Sequence, residues 1–199
     1  MKRVIVVSGN TRRPSKTRML AEVVAASVQA SAEVDLKLFD LVDAGPGLGA
    51  FARDELPRSA IDILDSVETA DALIVGSPVY KGSYAGLLKH LFDFVDPLCL
   101  AGKPVLLLAT GGGERHALVG EHQMRPLFGF FSALTIPTYV YASDSDFRDG
   151  SLQSSAVLKR AEQAAGEMAA FLTQPALGAP RPRAAAAYAA RERVVASNA

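Results

Sequence analysis

Short, unbroken apolar runs alternate along this chain with longer stretches in which apolar residues recur every three or four positions. Val4 to Val7, Ala72 to Val75 and Val105 to Ala109 are apolar throughout, the pattern of parallel strands buried on both faces. Val34 to Phe39 alternates instead, which predicts a half-exposed edge strand, and Ile136 to Tyr141 supplies a fifth. Between them, Ser15 to Ala30 sets Met19, Leu20, Val23, Val24 and Val28 on one helical stripe, with Ser15 as its N-cap. Ser59 to Thr69 repeats the pattern through Ile61, Leu64 and Val67. Tyr84 to Val95, a stretch from about Ala117 to Leu134, and Gln153 to Leu172 predict three more helices. Strands alternating with helices imply an α/β fold with right-handed crossovers. With five strands this is the flavodoxin-like, doubly wound parallel sheet of order 2-1-3-4-5, whose ligand sits at the carboxyl ends of strands one and three.

The apolar pattern ends near Thr173. Residues 1–173 form the predicted domain. Residues 174–199, with three prolines and an alanine-rich run, predict a tail that is either mobile or packed on a neighbouring subunit. Lys plus Arg and Asp plus Glu both number 21, and the resulting zero formal charge argues against nucleic acid as the main partner. The single cysteine, Cys99, excludes an internal disulfide and a multi-cysteine zinc site. No apolar run reaches the ~18 residues that a membrane helix needs, and the apolar part of the N-terminus is too short for a signal peptide. A soluble, cytoplasmic protein without a metal centre is the expectation.

Candidate chemistry lies in three loops at one edge of the predicted sheet. The first, "SGNTRRPSKT" at residues 8–17, joins strand one to helix one, where free N–H groups and the helix dipole favour an anion. Thr11, Ser15 and Thr17 can donate hydroxyls, and Arg12, Arg13 and Lys16 can supply charge. Counted from Gly9, the lysine arrives one position too late for a triphosphate-binding P-loop, and only one glycine of a dinucleotide fingerprint is present. What remains suits a terminal monophosphate. The second loop, "GSPVYKGSYAG" at 76–86, is shaped by Pro78 and Gly82. It offers Tyr80 to a flat ring and Ser83 as a cap for the next helix. The third, "ATGGGERH" at 109–116, lets backbone N–H groups approach a ligand closely at three consecutive glycines. Neither of the last two loops holds a nucleophile–base pair or a metal cluster. Backbone donors, hydroxyls and one aromatic suit a planar heterocycle with a phosphate tail.

Across residues 2 to 172, "SGNTRRPSKT", "GSPVYKGSYAGLLKHLFDFVDP" and "GKPVLLLATGGGERHAL" resemble the NAD(P)H-dependent FMN reductase family. The likeness is strongest to the reductases of alkanesulfonate and methanesulfonate utilisation. The family pattern at the first loop is G-S-x-R-x-x-S; here Asn10 replaces the serine, while Gly9, Arg12 and Ser15 keep their places. The resemblance implies an FMN phosphate held by Asn10, Arg12, Ser15 and Thr17. It implies an isoalloxazine ring held between Pro78, Val79, Tyr80, Lys81 and Ser83 on one side and Thr110, Gly111, Gly112 and Gly113 on the other. Relatives of this kind can carry an inserted residue that forms a π-bulge beside the flavin, at a subunit interface. The matching position in "LVGEHQMRPL" is His122, either a tuner of flavin exchange or a histidine satisfied at a helix contact.

The implied activity is hydride transfer from NADPH, with NADH as the other candidate, to FMN, and delivery of reduced FMN to a flavin-dependent monooxygenase. Backbone N–H groups at Gly111 to Gly113 would stabilise charge developing on the ring, so no protein general acid is needed. An FMN-containing quinone or azo reductase uses the same loops. A flavodoxin-type electron carrier is the reading from another class, against which the uncharged balance and Arg12 and Arg13 both count. A flavin-free interaction protein built on the same fold is the last alternative. The apolar arc of Tyr84, Leu87, Leu88, Leu91, Phe92, Phe94 and Val95 is wider than one sheet face covers, which predicts a homodimer or homotetramer.

Overall fold

The strands that read as apolar throughout do so because each face meets a different helical layer. In a computed structural model that describes residues 1–173, β1 (Lys2–Ser8) is followed by α1 (Lys16–Ser31) and β2 (Val34–Asp40). Next come α2 (Leu41–Ala44), α3 (Arg58–Thr69) and β3 (Ala72–Tyr80). Then follow β4 (Ser83–Tyr84), α4 (Gly86–Asp93) and β5 (Pro104–Gly111). A π-helical turn (Gly120–Met124), α5 (Arg125–Phe130), β6 (Leu134–Thr135) and β7 (Val140–Ser143) complete the sheet. A small hairpin, β8 (Phe147–Arg148) with β9 (Ser151–Leu152), precedes α6 (Ser155–Thr173). The predicted C-terminal tail lies outside the described residues.

The sheet runs β2-β1-β3-β5, with β6 and β7 both parallel to the outer side of β5. This is the expected 2-1-3-4-5 order, with the fifth strand broken in two. Pro104 pairs with Leu134 but Leu108 pairs with Val140, so the outer strand spends two more residues than β5 over the same span. Pro137 sits in that bulge, where a missing N–H does no harm on an edge strand. Along β1, Val4 and Val6 pack with α1 and α6, while Ile5 and Val7 pack with α3 and α4. The same two-sided burial holds for Ile74 and Val75, and for Leu107 and Leu108. Each large side chain fully buried on these central strands contributes ~1.5–3 kcal/mol.

Two predicted boundaries move, each for a local reason. The helix expected from Tyr84 begins at Gly86, because Lys81 (φ 52°) and Gly82 (φ 84°) make a two-residue turn that folds Ser83–Tyr84 back along β3 as β4. Ser83 therefore does not cap α4; Ala85 takes that position, and the Ser83 hydroxyl instead donates to Gln123 Oε1 at 3.3 Å. The helix expected over 117–134 ends at Phe130, where Ser132 enters the left-handed region (φ 54°) and Ala133 N–H returns to the Phe128 carbonyl at 3.1 Å.

What fixes the β1–α1 loop is a buried carboxylate at the end of β2. The Asp40 side chain is 0% exposed and receives hydrogen bonds from Asn10 Nδ2 (3.0 Å), Arg13 Nε (2.7 Å) and Arg18 Nη1 (2.9 Å). It also accepts from Val42 N–H at 3.0 Å, forming with Asp43 the capping box of α2. Burial alone would raise its pKa; the hydrogen bonds from Arg13, Asn10 and Arg18 outweigh that and hold it at about 2. A carboxylate depressed on folding stabilises above its unfolded pKa and loses that contribution as pH falls through the folded value. Stability from this group should thus be complete above pH ~4 and vanish towards pH ~2, a loss of roughly 2 kcal/mol. Urea unfolding across that window should show Asp40→Asn less stable than wild type near neutrality, with the gap closing on acidification. Parallel acid losses in the two proteins would contradict this assignment.

Candidate flavin site

Three loops converge at the carboxyl ends of β1, β3 and β5, which are adjacent strands. In the first, the structure separates the polar residues by task. Asn10 is 2% exposed, accepts from the Ser8 hydroxyl (2.6 Å) and gives its amide hydrogens to the Arg12 carbonyl (3.1 Å) and Asp40 (3.0 Å). Its donors are already committed inside the loop, so its role here is to shape the turn. Arg13 is tied to Asp40 and Asp43, Lys16 to Asp144 at 2.8 Å, and Arg18 to Asp40 and Glu22. Arg12 is exposed, and no carboxylate pairs with it among the described residues.

Ser15 caps α1 by accepting from Arg18 N–H at 3.3 Å, which leaves its own hydroxyl hydrogen free to donate. The helical ladder begins with Met19 N–H on the Ser15 carbonyl at 3.0 Å, so the N–H groups of Lys16 and Thr17 precede it. One free guanidinium, one free hydroxyl hydrogen and two open backbone donors at the end of a 16-residue helix form a monoanion-to-dianion cradle. Thr17 is less available. Its hydroxyl is buried against that of Thr110 at 2.6 Å and ties the first loop to the third.

The second loop is a rigid hairpin. Pro78 is buried, and Val79 pairs with Tyr84 and Tyr80 with Ser83 across the Lys81–Gly82 turn. The Ser77 hydroxyl, 0% exposed, donates to the Pro78 carbonyl and accepts from Ala85 N–H, both at 2.9 Å, which locks the hairpin onto the start of α4. Tyr80 is left 46% exposed at the tip, and Lys81 is exposed beside it. In the third loop, space beside Gly113 is open, and beside Gly112 the nearest neighbour is Asp144 Oδ2 at 4.0 Å from a side-chain position. A ligand can reach backbone there. Gly111 faces the opposite way, where the Tyr141 hydroxyl would lie 2.5 Å from an added Cβ. Burial raises the Tyr141 pKa, helped by the charges of Glu114 and Asp144, so the phenol stays protonated.

The π turn at Gly120–Met124 is present, closed by Arg125 N–H on the Gly120 carbonyl, and His122 lies exposed within it. Its seat is the bulged fifth strand. The Tyr139 ring fills the space where a Gly120 side chain would stand, 2.3 Å from that position. Arg125 grips Glu121 (2.6 and 2.9 Å) and donates to the carbonyls of Ile136 (3.1 Å) and Pro137 (3.2 Å). That hold depresses the Glu121 pKa, chiefly through the Arg125 hydrogen bond. Gln123 meets Ser83, so the turn borders the hairpin. His90 and His116 stand outside these contacts: His90 Nε2 bonds the Ala50 carbonyl at 2.9 Å, and His116 Nε2 accepts from Arg115 Nε at 3.2 Å. Asp40, Ser77 and Tyr141 are the structural residues that sequence reasoning did not single out. Only Asp40 left a signal, the D-x-x-D spacing of a capping box in "DLVD".

The donor types present suit a flat ring with a phosphate tail, as in FMN. They provide a phosphate cradle at one end and, at the other, an aromatic tip opposite open glycine backbone. No group of three or more metal-ligating side chains exists among the described residues. Known proteins resemble this chain in sequence and fold. Residues 2–147 match the family model for NADPH-dependent FMN reductases. An FMN reductase (NADPH) of Pseudomonas aeruginosa is 49% identical over 82% of this chain and 88% of its own length. The NADH-dependent FMN reductase SfnF of Pseudomonas fluorescens is 48% identical over the same shares. Among solved structures, an NADH:FMN oxidoreductase (EMOB) in apo form superposes with a TM-score of 0.78 at 30% identity, over 92% of this chain and 98% of that one. With three loops in place and this extent of likeness, the chain belongs to the NADPH-dependent FMN reductase family.

Proposed function

We propose that this protein reduces FMN at the expense of NADPH or NADH and hands reduced FMN to a flavin-dependent monooxygenase, in the cytoplasm and in sulfonate utilisation. The observation that carries the reading is the isolation of Arg12. Of four cations in and beside the first loop, Arg13, Lys16 and Arg18 are held by carboxylates, and Arg12 alone is left for a phosphate. Arg12, the Ser15 hydroxyl and the first-turn N–H groups would hold the phosphate, with Asn10 and Thr17 shaping the loop around them. Pro78, Val79, Tyr80, Lys81 and Ser83 would line one side of the ring, and Thr110, Gly111, Gly112 and Gly113 the other. Bound FMN supplies the hydride-accepting ring, so the protein itself needs no acid–base pair. The backbone N–H groups of the glycine loop would orient the ring and favour negative charge at its carbonyl edge. Relatives named for NADPH and for NADH both support a nicotinamide donor without choosing between them. The likeness of the three loops to the reductases of alkanesulfonate and methanesulfonate utilisation supports the sulfonate setting.

Self-association follows from what α4 leaves uncovered. Leu88, Leu91 and Phe92 are buried, but Leu87 is 42% exposed and Leu118, ahead of the π turn, 61%. Tyr84, counted in the predicted arc, lies on β4. A homodimer or homotetramer covering α4 and the π turn would bury the remaining apolar side chains.

Consumption of reduced nicotinamide on addition of free FMN tests the activity directly, and no consumption with either nicotinamide would refute it. Arg12→Ala should weaken FMN at least roughly tenfold while sparing riboflavin, since a charge-assisted hydrogen bond contributes ~1.5–3 kcal/mol and riboflavin has no phosphate. Equal losses for both flavins would remove the phosphate from this loop. Light scattering at micromolar concentration should give the mass of two or four chains; a monomer mass would rule out the assembly. Deleting His122 should convert the π turn to regular helix and slow FMN exchange more than His122→Ala does. If both variants only melt earlier, with exchange unchanged, the histidine has no part in flavin release.

A further inference from the structure

The two loops that flank the ring carry one lysine and one arginine, and neither has a carboxylate partner among the described residues. Lys81 stands at the tip of the β3–β4 hairpin and Arg115 in the turn after the glycines; both side chains are exposed. Lysine does nothing for the hairpin turn itself. At φ 52°, beside Gly82 at 84°, the backbone conformation favours asparagine or glycine. Arg115 has one contact, its Nε on His116 Nε2 at 3.2 Å, and no ion pair with the preceding Glu114. Its two Nη groups find no acceptor among the described residues, and they form the fork that suits phosphate oxygens. Strand register brings the two cations to one end of the sheet. Pro78 of β3 pairs with Thr110 of β5 in the last rung between these strands, and Lys81 and Arg115 follow it by three and five residues.

FMN does not account for these charges. Its phosphate is assigned to Arg12 at the α1 end, and the oxidised ring is uncharged. The second substrate does account for them. A dihydronicotinamide must come within ~3–3.5 Å of the ring to transfer hydride, and its pyrophosphate is tethered to it through one ribose. Two negative charges therefore fall just outside the ring's edge, where the two flanking loops end. We propose that Arg115 and Lys81 bind the pyrophosphate of the reduced nicotinamide dinucleotide, Arg115 through its Nη fork and Lys81 as a point charge. The proposal rests on the flavin reading given above and adds to it the docking site of the hydride donor. NADH and NADPH share the pyrophosphate, so this contact serves both.

Hydride donors with and without phosphate separate this role from any other. With FMN saturating, kcat/KM is measured for NADPH, NADH and 1-benzyl-1,4-dihydronicotinamide, which carries no phosphate. Arg115→Gln should lower the value for both dinucleotides by roughly tenfold relative to the benzyl analogue, through KM and not kcat. Lys81→Gln should lower the same ratio by less, since a point charge makes no bidentate contact. Calorimetric titration of the FMN-loaded protein with NADP+, which does not react, should show the same loss of affinity in Arg115→Gln, with Kd for FMN at its wild-type value. Equal falls for all three donors would mean that the cations act on the ring's own charge, and a fall for NADPH alone would move the contact to the 2′-phosphate. Either result, or no change at all, overturns the proposal. If the wild type oxidises none of the three donors in the presence of FMN, the flavin reading fails and this inference with it.

Discussion

A carboxylate with no solvent contact, Asp40, sets the conditions under which this protein can bind an anion. Its negative charge at the end of β2 draws in Asn10, Arg13 and Arg18 and so folds the β1–α1 loop into one shape. The uncompensated cost of burying a carboxylate would be several kcal/mol, and it is met by charged donors with short hydrogen bonds. The consequence for function is subtraction. A loop that carries several cations in sequence retains a single unpaired one in space. An anion approaching this loop therefore meets Arg12 together with the open first turn of α1, and the charge available matches one phosphate monoester better than a polyphosphate.

The rest of the site depends on backbone held from behind. Ser77 locks the hairpin to α4, the Thr17–Thr110 pair joins the first loop to the third, and Tyr141 holds the glycine turn. Each of these side chains is engaged in a contact within the protein, and the proposed binding groups are N–H donors and one aromatic tip. Such a site stabilises charge and orients a ring but performs no proton chemistry of its own, which is consistent with a reaction carried by two redox cofactors. The bulge in the fifth strand serves two of these supports. It displaces Tyr139 and Tyr141 relative to a regular strand, one beneath the π turn and the other beneath the glycines.

Much of this was legible in the sequence. The two-sided apolar runs defined a parallel sheet, and the strand–helix alternation gave its order. The three polar loops fell at one sheet edge because parallel topology places every βα loop there. Ser15 read correctly as a cap, and "LVGEHQMRPL" yielded a π turn at the position the family resemblance indicated. Helix boundaries were less legible. Tyr84 looked like the start of a helix because its apolar neighbours continue into α4, while the hairpin that claims it requires a left-handed Lys81, for which lysine carries no signal.

The sequence by itself determined the architecture and the loops that face a ligand, since apolar periodicity and chain connectivity act over distances short enough to be read along the chain. It could not decide which polar residues in those loops are free. Arg12 and Arg13 are neighbours of identical chemistry, and what distinguishes them is a carboxylate 27 positions beyond Arg13 that happens to end the adjacent strand. The side-chain donors of Asn10 are taken up within the loop for the same reason. Hydrogen-bond capacity is spent on whichever partner folding brings closest, and in this fold those partners come from β2, β5 and β7, so only the tertiary structure settled what was left over to bind.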